Sequence, residues 1–185
     1  IFMTGVGAAA LREVLESRFD AGDIQQVLNK CRIAVRGPKP TAVLSKWGIH
    51  IDVRATEPNT WHELLAALDQ VQWPFAGMTI ALQEYGAPSV ELVQALRDRG
   101  AEVMAVNVYR WELPEDISPL KSAIHSMIAD QFDVLLVTSA QQVRHVEQVA
   151  GDMRIWNEWL QAANRCVIGS IGPTASETLC EYGLT

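Results

Sequence analysis

The stretch that decides the fold is CVIGSIGPTASETLCEYG, at residues 166–183. Its first part is an apolar run typical of a buried β-strand, and its last part has apolar residues at helical spacing. Between them lies Gly172-Pro-Thr174, in which Pro173 suits the first helical position and the Thr174 hydroxyl can accept a hydrogen bond from a helical N–H group. The pattern predicts a strand, a sharp corner and a helix.

The same pattern occurs a second time in the chain. The stretch CRIAVRGPKPTAVLSKWG, at residues 31–48, aligns on residues 166–183 without gaps, at an offset of 135 residues. Both copies have a Gly-Pro corner, a leucine in the helix, an aromatic residue and a closing glycine. Residues 1–4 and 135–138 form another similar pair, 134 residues apart. Elements that recur in the same order predict two related domains.

Apolar runs rich in β-branched residues alternate with helical periodicity along the whole chain. This alternation predicts an α/β fold with a mostly parallel sheet covered by helices. Strands are expected at residues 2–4, 32–35, 50–53, 79–83, 102–108, 133–138 and 166–171. Helices are expected at residues 8–18, 24–29, 41–47, 60–71, 89–99, 120–130, 141–149, 155–163 and 175–182.

The domain organisation follows from these elements. Residues 117–185 are predicted to form part of a second α/β domain, because the second copy begins near Ile117 and lacks the opening strand and helix of an entire domain. The preceding segment 109–116 carries a proline and several charges, as linkers do. Because the first residues look like the end of a buried strand and the last follow directly on a helix, we expect a chain truncated at both ends.

Composition limits the function classes. The 185 residues are 49% hydrophobic and 20% charged, with a net charge of −7, which argues against a nucleic-acid surface. An anionic small ligand stays possible, since backbone N–H groups bind anions without net positive charge. The three cysteines show no metal-like spacing and favour a reducing, cytoplasmic compartment, so we predict no metal. No apolar run is long enough to span a membrane.

Several local motifs together resemble one family, the uroporphyrinogen-III synthases. The resemblance covers essentially the whole chain and rests on Thr4 after an apolar strand, Gly37-Pro38 before a helix, Tyr109 at a strand end, Thr138-Ser139, and the corner at residues 171–174. It implies two flavodoxin-like, doubly wound domains joined by a two-stranded linker, with segment 109–116 as one of the two strands. Residues 1–108 would be the central, inserted domain lacking its first elements, and residues 117–185 part of the split domain. The resemblance also implies a monomer that cyclises the linear tetrapyrrole hydroxymethylbilane to uroporphyrinogen III, inverting ring D and releasing water, without a cofactor.

The resemblance further implies where the substrate binds. Tyr109 would point into a cleft and assist departure of the hydroxyl; the other interpretation, a packed aromatic at a domain edge, stays open. The substrate carries eight carboxylates, which helix N-termini at strand ends can bind. The residues expected to bind it are Thr4, Gly5, Arg36, Gly37, Pro38, Lys39, Thr41, Tyr85, Gly86, Ser139, Ala140, Gly172, Pro173 and Thr174. Helix capping and solvated surface charge are the structural alternatives for these residues.

The sequence departs from the family pattern at three corners. Thr41 comes two residues later in its corner than Thr174 does, and Thr4-Gly-Val-Gly7 replaces the more usual Thr-Ser start. Gln83-Glu-Tyr-Gly86 lacks the arginine that the family often has there. These departures resemble a subset of the family that is fused to a C-terminal DNA-binding domain. A second hypothesis is therefore a tetrapyrrole- or anion-sensing regulatory module, which would contact nucleic acid only through a missing C-terminal domain.

Overall fold

The computed structural model describes residues 1–184, and within that range the chain has an α/β fold with nine helices and six short parallel strands. The α/β class predicted from the sequence is confirmed. The chain divides into two compact units, Ile1–Trp111 and Glu112–Thr185.

The helices are α1 (Gly5–Glu16), α2 (Ala21–Leu28), α3 (Pro38–Lys46), α4 (Trp61–Gln70), α5 (Val90–Asp98), α6 (Ser118–Ile128), α7 (Ala140–Asp152), α8 (Trp156–Ala163) and α9 (Pro173–Glu181). The strands are β1 (Ala34–Val35), β2 (Val53–Arg54), β3 (Thr79–Gln83), β4 (Glu102–Val106), β5 (Val134–Val137) and β6 (Val167–Ser170).

The sheet of the first unit is assembled around its first residues. Strand β1 pairs with β2 and strand β3 with β4, all in parallel. Residues 1–3 join the two pairs, because the N–H of Phe2 donates to the carbonyl of Ala34 and the N–H of Met3 donates to that of Gln83. The order is therefore β2, β1, residues 1–3, β3, β4. Strands β1 and β2 lie on one side of residues 1–3, and strands β3 and β4 lie on the other. The strand order therefore reverses at residues 1–3, which form the topological switch point of the sheet.

Helices cover both faces of this sheet, because successive side chains of a strand point to opposite faces. Phe2 is buried with residues of α1, α2 and α3, such as Leu44. Its neighbour Met3 is buried on the other face with residues of α4 and α5, such as Leu64 and Leu92. The unit thus has the three layers of a doubly wound sheet.

The second unit contains the parallel pair β5 and β6 with helices α6 to α9. Its core gathers residues from all four helices and from the inward-facing positions of β5, among them Ile124, Val137, Val149, Trp159 and Leu179. The alternate positions Val134, Leu136 and Val167 are exposed. Only one face of this strand pair is therefore covered within the unit.

Two predictions about local structure are corrected. Residues 107–114 belong to no helix or strand, so segment 109–116 is not a β-strand in the described part of the chain. A strand needs a hydrogen-bonded neighbour, and none of the described strands pairs with this segment. Helices α3 and α9 begin at Pro38 and Pro173, earlier than predicted, because proline takes the first helical position at each corner.

The remaining predictions concern the boundary between the domains and the type of each domain. The boundary between the compact units falls between Trp111 and Glu112, inside the segment that we expected to be a linker. The flavodoxin-like character of two domains and their bounds, 1–108 and 117–185, stay predictions. Among the described residues, none of the helices has both the length and the apolar character needed to cross a membrane.

Candidate functional site

Four of the residues expected to act on the substrate meet at the switch point of the first unit. Thr4 follows residues 1–3, Arg36 follows β1, Tyr85 follows β3, and Tyr109 comes three residues after β4. The carboxyl ends of parallel strands lie at one edge of a sheet, and open α/β sheets bind ligands there, beside the switch point. The topology therefore places these four side chains, which are far apart in sequence, at one edge.

Thr4 and Tyr109 are in direct contact. The Oγ1 atom of Thr4 accepts a hydrogen bond from the N–H of Gly7 at 3.0 Å, which makes Thr4 the N-cap of α1. The same oxygen lies 3.3 Å from the hydroxyl of Tyr109, and both residues are half-buried. The N–H groups of Gly5 and Val6 have no acceptor within the helix, as at every helix start. The phenol thus lies beside the positive end of the α1 dipole.

Gln83, which sequence reasoning did not select, fixes the start of α1. It is 2% exposed, its Oε1 accepts the N–H of Thr4 at 3.2 Å, and its Nε2 donates to the carbonyl of Glu84. A Cβ atom on Gly7 would stand 1.9 Å from Nε2 of Gln83. The sequence signal was a polar residue that ends an otherwise apolar strand. Gln83 therefore ties β3 to Thr4, and Gly7 leaves the room for it.

Arg36 supplies the positive charge of the site. Its guanidinium carbon lies 5.9 Å from the centre of the Tyr85 ring, which is cation–π distance. Burial lowers the pKa of Arg36 from its ordinary value, while the nearby Tyr85 and Tyr109 oppose that change. No carboxylate in the described part of the chain forms an ion pair with it. An arginine stays protonated at neutral pH, so this half-buried cation is available to an anionic ligand.

The corner at the start of α3 offers fewer backbone donors than we expected. Pro38 and Pro40 have no N–H, and both the N–H and the hydroxyl of Thr41 donate to the carbonyl of Gly37, at 3.3 and 2.9 Å. The N–H of Lys39 is the remaining donor in this first turn. The exposed Lys39 and the neighbouring Arg36 carry the charge here.

The starts of α1 and α3 lie side by side. A Cβ atom on Gly5 would stand 3.0 Å from the carbonyl carbon of Lys39. Glycine at position 5 thus permits close approach of the two backbones. Thr4, Gly5 and Lys39 accordingly lie next to one another at the edge of the sheet, whereas Gly37, the N-cap of α3, is buried.

The loop after β3 is packed against the segment that carries Tyr109. Gly86 has φ +84°, and a Cβ atom there would stand 2.7 Å from the Tyr109 ring and 2.8 Å from the Trp111 ring. The indole N–H of Trp111 donates to the carbonyl of Tyr85 at 2.8 Å. Only glycine fits this position, both for its backbone conformation and for the two rings against it. Trp111 was not among the predicted site residues; its place two residues after Tyr109 was the available signal.

The predicted residues of the second unit lie at the starts of two helices. Ser139 is the N-cap of α7, where its Oγ accepts the N–H of Gln141 at 3.2 Å, and Ala140 begins the helix. Gly172 is the N-cap of α9 without a side-chain cap, and Pro173 is its first residue. Because β5 and β6 are parallel neighbours, these two helix starts lie at the same edge of the strand pair. Thr174 is exposed, whereas Ser176 makes the polar contacts of the corner, with the Gly172 carbonyl and the Ser170 hydroxyl.

Fold and site together place the chain among α/β proteins that gather polar side chains and helix N-termini beyond the carboxyl ends of parallel strands. Within that class the chain belongs to the uroporphyrinogen-III synthase family, because the family profile described as "Uroporphyrinogen-III synthase HemD" matches residues 1–185. The resemblance seen in the sequence motifs is thereby confirmed.

Solved structures agree with this assignment. A mutant uroporphyrinogen III synthase from Thermus thermophilus matches with a TM-score of 0.74 and 27% identity, over 100% of this chain and 69% of that one. The wild-type protein in another crystal form matches with a TM-score of 0.59 and 27% identity, over 100% of this chain and 68% of that one. The fold described above is therefore similar to that of uroporphyrinogen III synthase.

Two curated proteins are also similar in sequence. A Methanothermobacter thermautotrophicus protein named "Putative uroporphyrinogen-III synthase" is 29% identical over 160 residues, which are 86% of this chain and 61% of that protein. The Bacillus subtilis protein named "Uncharacterized protein YjjA" is 26% identical over 186 residues, or 100% of this chain and 67% of that protein. The chain thus spans about three fifths of the archaeal relative.

Proposed function

We propose that the protein is a uroporphyrinogen-III synthase, which cyclises hydroxymethylbilane with inversion of ring D and loss of water in tetrapyrrole biosynthesis. The observation that carries the proposal is the meeting of Thr4, Arg36, Tyr85 and Tyr109 at one switch point, in a chain of this family. A phenol donor beside Arg36, a cation without an ion pair among residues 1–184, suits a substrate that is both polyanionic and about to lose a hydroxyl group.

Substrate binding is assigned to the cation and the helix starts. Arg36 has no acidic partner among the described residues and would bind a substrate carboxylate through charge-assisted hydrogen bonds. Lys39 and the N–H groups at the start of α1 lie on the same surface and would take further carboxylates. Such contacts hold the flexible chain of pyrroles in the geometry that ring closure needs, which is the main catalytic demand.

Tyr109 is assigned to the departing hydroxyl. Its phenol would donate a proton as the C–O bond breaks, so that the hydroxyl leaves as water. The positive end of α1 and the Thr4 hydroxyl next to it would stabilise the negative charge that develops on the phenol oxygen. Ring D loses a proton when its pyrrole regains aromaticity after ring closure, and this proton restores the phenol, so the enzyme is unchanged after one turnover.

The second unit is assigned an equivalent binding role. Ser139, Ala140, Gly172, Pro173 and Thr174 mark two helix starts at one edge of a strand pair, and each start is a ready site for a carboxylate. The proposal also includes two flavodoxin-like domains, a monomeric cytoplasmic enzyme, and chemistry that uses no cofactor.

The test is an assay of the purified full protein with hydroxymethylbilane, with products separated as uroporphyrinogen isomers. Uroporphyrinogen III in excess over the enzyme-free control supports the proposal, and isomer I alone contradicts it. Uroporphyrinogen III titrated into the same sample, followed by tryptophan fluorescence, distinguishes the regulatory alternative. Saturable binding without any formation of isomer III would mean a tetrapyrrole-sensing module.

A further inference from the structure

We propose that Trp111 is a positioning residue that holds the hydroxyl of Tyr109 at Thr4. The inference rests on the proposed function, since it concerns the group assigned to proton donation. It goes beyond that function by naming the residue that keeps the donor in place.

The need for an anchor follows from the local backbone. Tyr109 lies in residues 107–114, which belong to no helix or strand, so no backbone ladder fixes the direction of its side chain. The orientation of the phenol must come from side-chain contacts instead. Its hydroxyl has one polar contact in the described structure, with Thr4 at 3.3 Å.

Trp111 provides the anchor through two contacts. Its indole N–H donates to the carbonyl of Tyr85 at 2.8 Å, which ties the segment to the loop after β3. Its ring meets that of Tyr109 edge to face, with centroids 6.0 Å apart and planes at 76°. Edge-to-face pairs at this distance are favourable. Tyr109 and Trp111 thus pack against Gly86 together, since a Cβ atom there would stand within 2.8 Å of both rings.

The loop that receives Trp111 is held by a hydrogen bond to a buried carboxylate. Glu84 is 3% exposed, and its Oε1 accepts the N–H of Ser89 at 2.8 Å, directly before α5. The carbonyl of Tyr85 therefore has a defined direction. Because Trp111 is itself 47% exposed, its replacement changes the anchor with little loss of buried core.

The first test is a double-mutant cycle in the isomer III assay. Trp111→Ala is expected to lower kcat about 10-fold with KM within about twofold, since small displacements of a catalytic group have effects of this size. The kcat of Trp111→Phe, which keeps a ring and loses the N–H, should fall between the values for the wild type and for Trp111→Ala. In a Tyr109→Phe background Trp111→Ala should change kcat less than about twofold. If Trp111→Ala lowers kcat by the same factor in the wild-type and Tyr109→Phe backgrounds, the proposal is overturned. Trp73→Phe is the matched control, a half-buried tryptophan of the same unit with Arg32 over its ring.

The second test does not depend on activity. Trypsin cleaves after Arg110, inside the anchored segment, and after Arg18, in the turn between α1 and α2, which serves as internal reference. Each rate is divided by the rate at the same bond in a synthetic peptide of matching sequence, because Trp111→Ala also changes the residue that follows the bond cleaved at Arg110. We expect Trp111→Ala to raise this corrected rate at Arg110 at least fivefold relative to that at Arg18. An unchanged ratio overturns the anchor even in a protein that makes isomer III. A raised ratio in a protein that makes only isomer I supports the anchor and contradicts the proposed function.

Discussion

The hydroxyl of Tyr109 lies 3.3 Å from that of Thr4, although 105 positions separate the two residues. Thr4 is held by its place at the start of α1 and by Gln83, and Tyr109 reaches it from beyond β4. This contact joins the first and last parts of the first unit at the switch point of its sheet.

Replacement of Tyr109 by phenylalanine tests the role of that hydroxyl. We expect kcat for isomer III to fall on the order of 10²-fold, the low end for one positioned proton donor, because the pyrroles themselves drive much of the reaction. KM should change little, since the ring and its packing remain. Tyr182→Phe is the control, because Tyr182 packs edge to face on Trp156 in the second unit. Equal rates for wild type and Tyr109→Phe would remove Tyr109 from the mechanism.

Arg36 and Arg32 offer a matched pair of arginines at opposite ends of β1. Each guanidinium lies over an aromatic ring, 5.9 Å from the centre of Tyr85 for Arg36 and 5.5 Å from that of Trp73 for Arg32. A hydrogen bond to a charged group is worth about 1.5–3 kcal/mol, so Arg36→Gln should raise KM about 10- to 150-fold. Arg32→Gln should leave KM unchanged. Similar effects of both substitutions would argue against a carboxylate at Arg36.

Gly7 and Gln83 are expected to be coupled in stability. An alanine at position 7 forces the Gln83 side chain away and costs it the hydrogen bond from the Thr4 N–H, which should destabilise the fold by about 1–3 kcal/mol in urea unfolding. Gly151→Ala, also within a helix but with no atom nearer than 3.8 Å to the new Cβ, should instead stabilise by up to about 1 kcal/mol. In a Gln83→Ala background the cost of Gly7→Ala should shrink. A cost that is the same in both backgrounds would show that Gln83 is not the cause.

The ion pair of Asp69 and Arg99 predicts an acid-dependent part of the stability. Both guanidinium contacts are 2.7 Å, and they lower the pKa of Asp69 below its ordinary value. A lowered folded-state pKa stabilises the protein above the unfolded pKa of about 3.9, and the effect is lost as pH falls through the folded value. The pair is partly exposed, so Asp69→Asn should cost only about 0.5–1 kcal/mol at pH 7. That difference in the free energy of unfolding should shrink as the pH falls below the unfolded pKa of about 3.9 and through the lowered folded-state pKa; a difference independent of pH would contradict the assignment.

Much of the fold could be predicted because local sequence and final structure agree. The prediction for β3 matches residue by residue, and the corners at Pro38 and Pro173 are helix starts, since proline and glycine have fixed backbone preferences. Segment 109–116 was predicted as a strand from the resemblance. Its structure depends on a hydrogen-bonded neighbour, and the residues of the segment do not carry that information.

Some residues of the candidate site could likewise be predicted from the sequence, and others could not. Thr4, Arg36 and Tyr85 could be found because each directly follows a strand or a corner. Gln83 and Trp111 could not, because their importance lies in contacts with Gly7 and with the Tyr85 carbonyl, which only the assembled sheet brings near. The lack of backbone donors at α3 was readable from Pro38 and Pro40, although the engagement of Thr41 with Gly37 was not.

The most direct measurement of the central claim is the fraction of uroporphyrinogen III formed from hydroxymethylbilane as the concentration of the full protein is raised. Without enzyme the linear substrate closes to isomer I, so each turnover that inverts ring D is counted against a fixed background. The account predicts that the fraction of isomer III rises toward completeness, and that Arg36→Gln and Tyr109→Phe each need more protein to reach the same fraction. Isomer I alone at every protein concentration would contradict it.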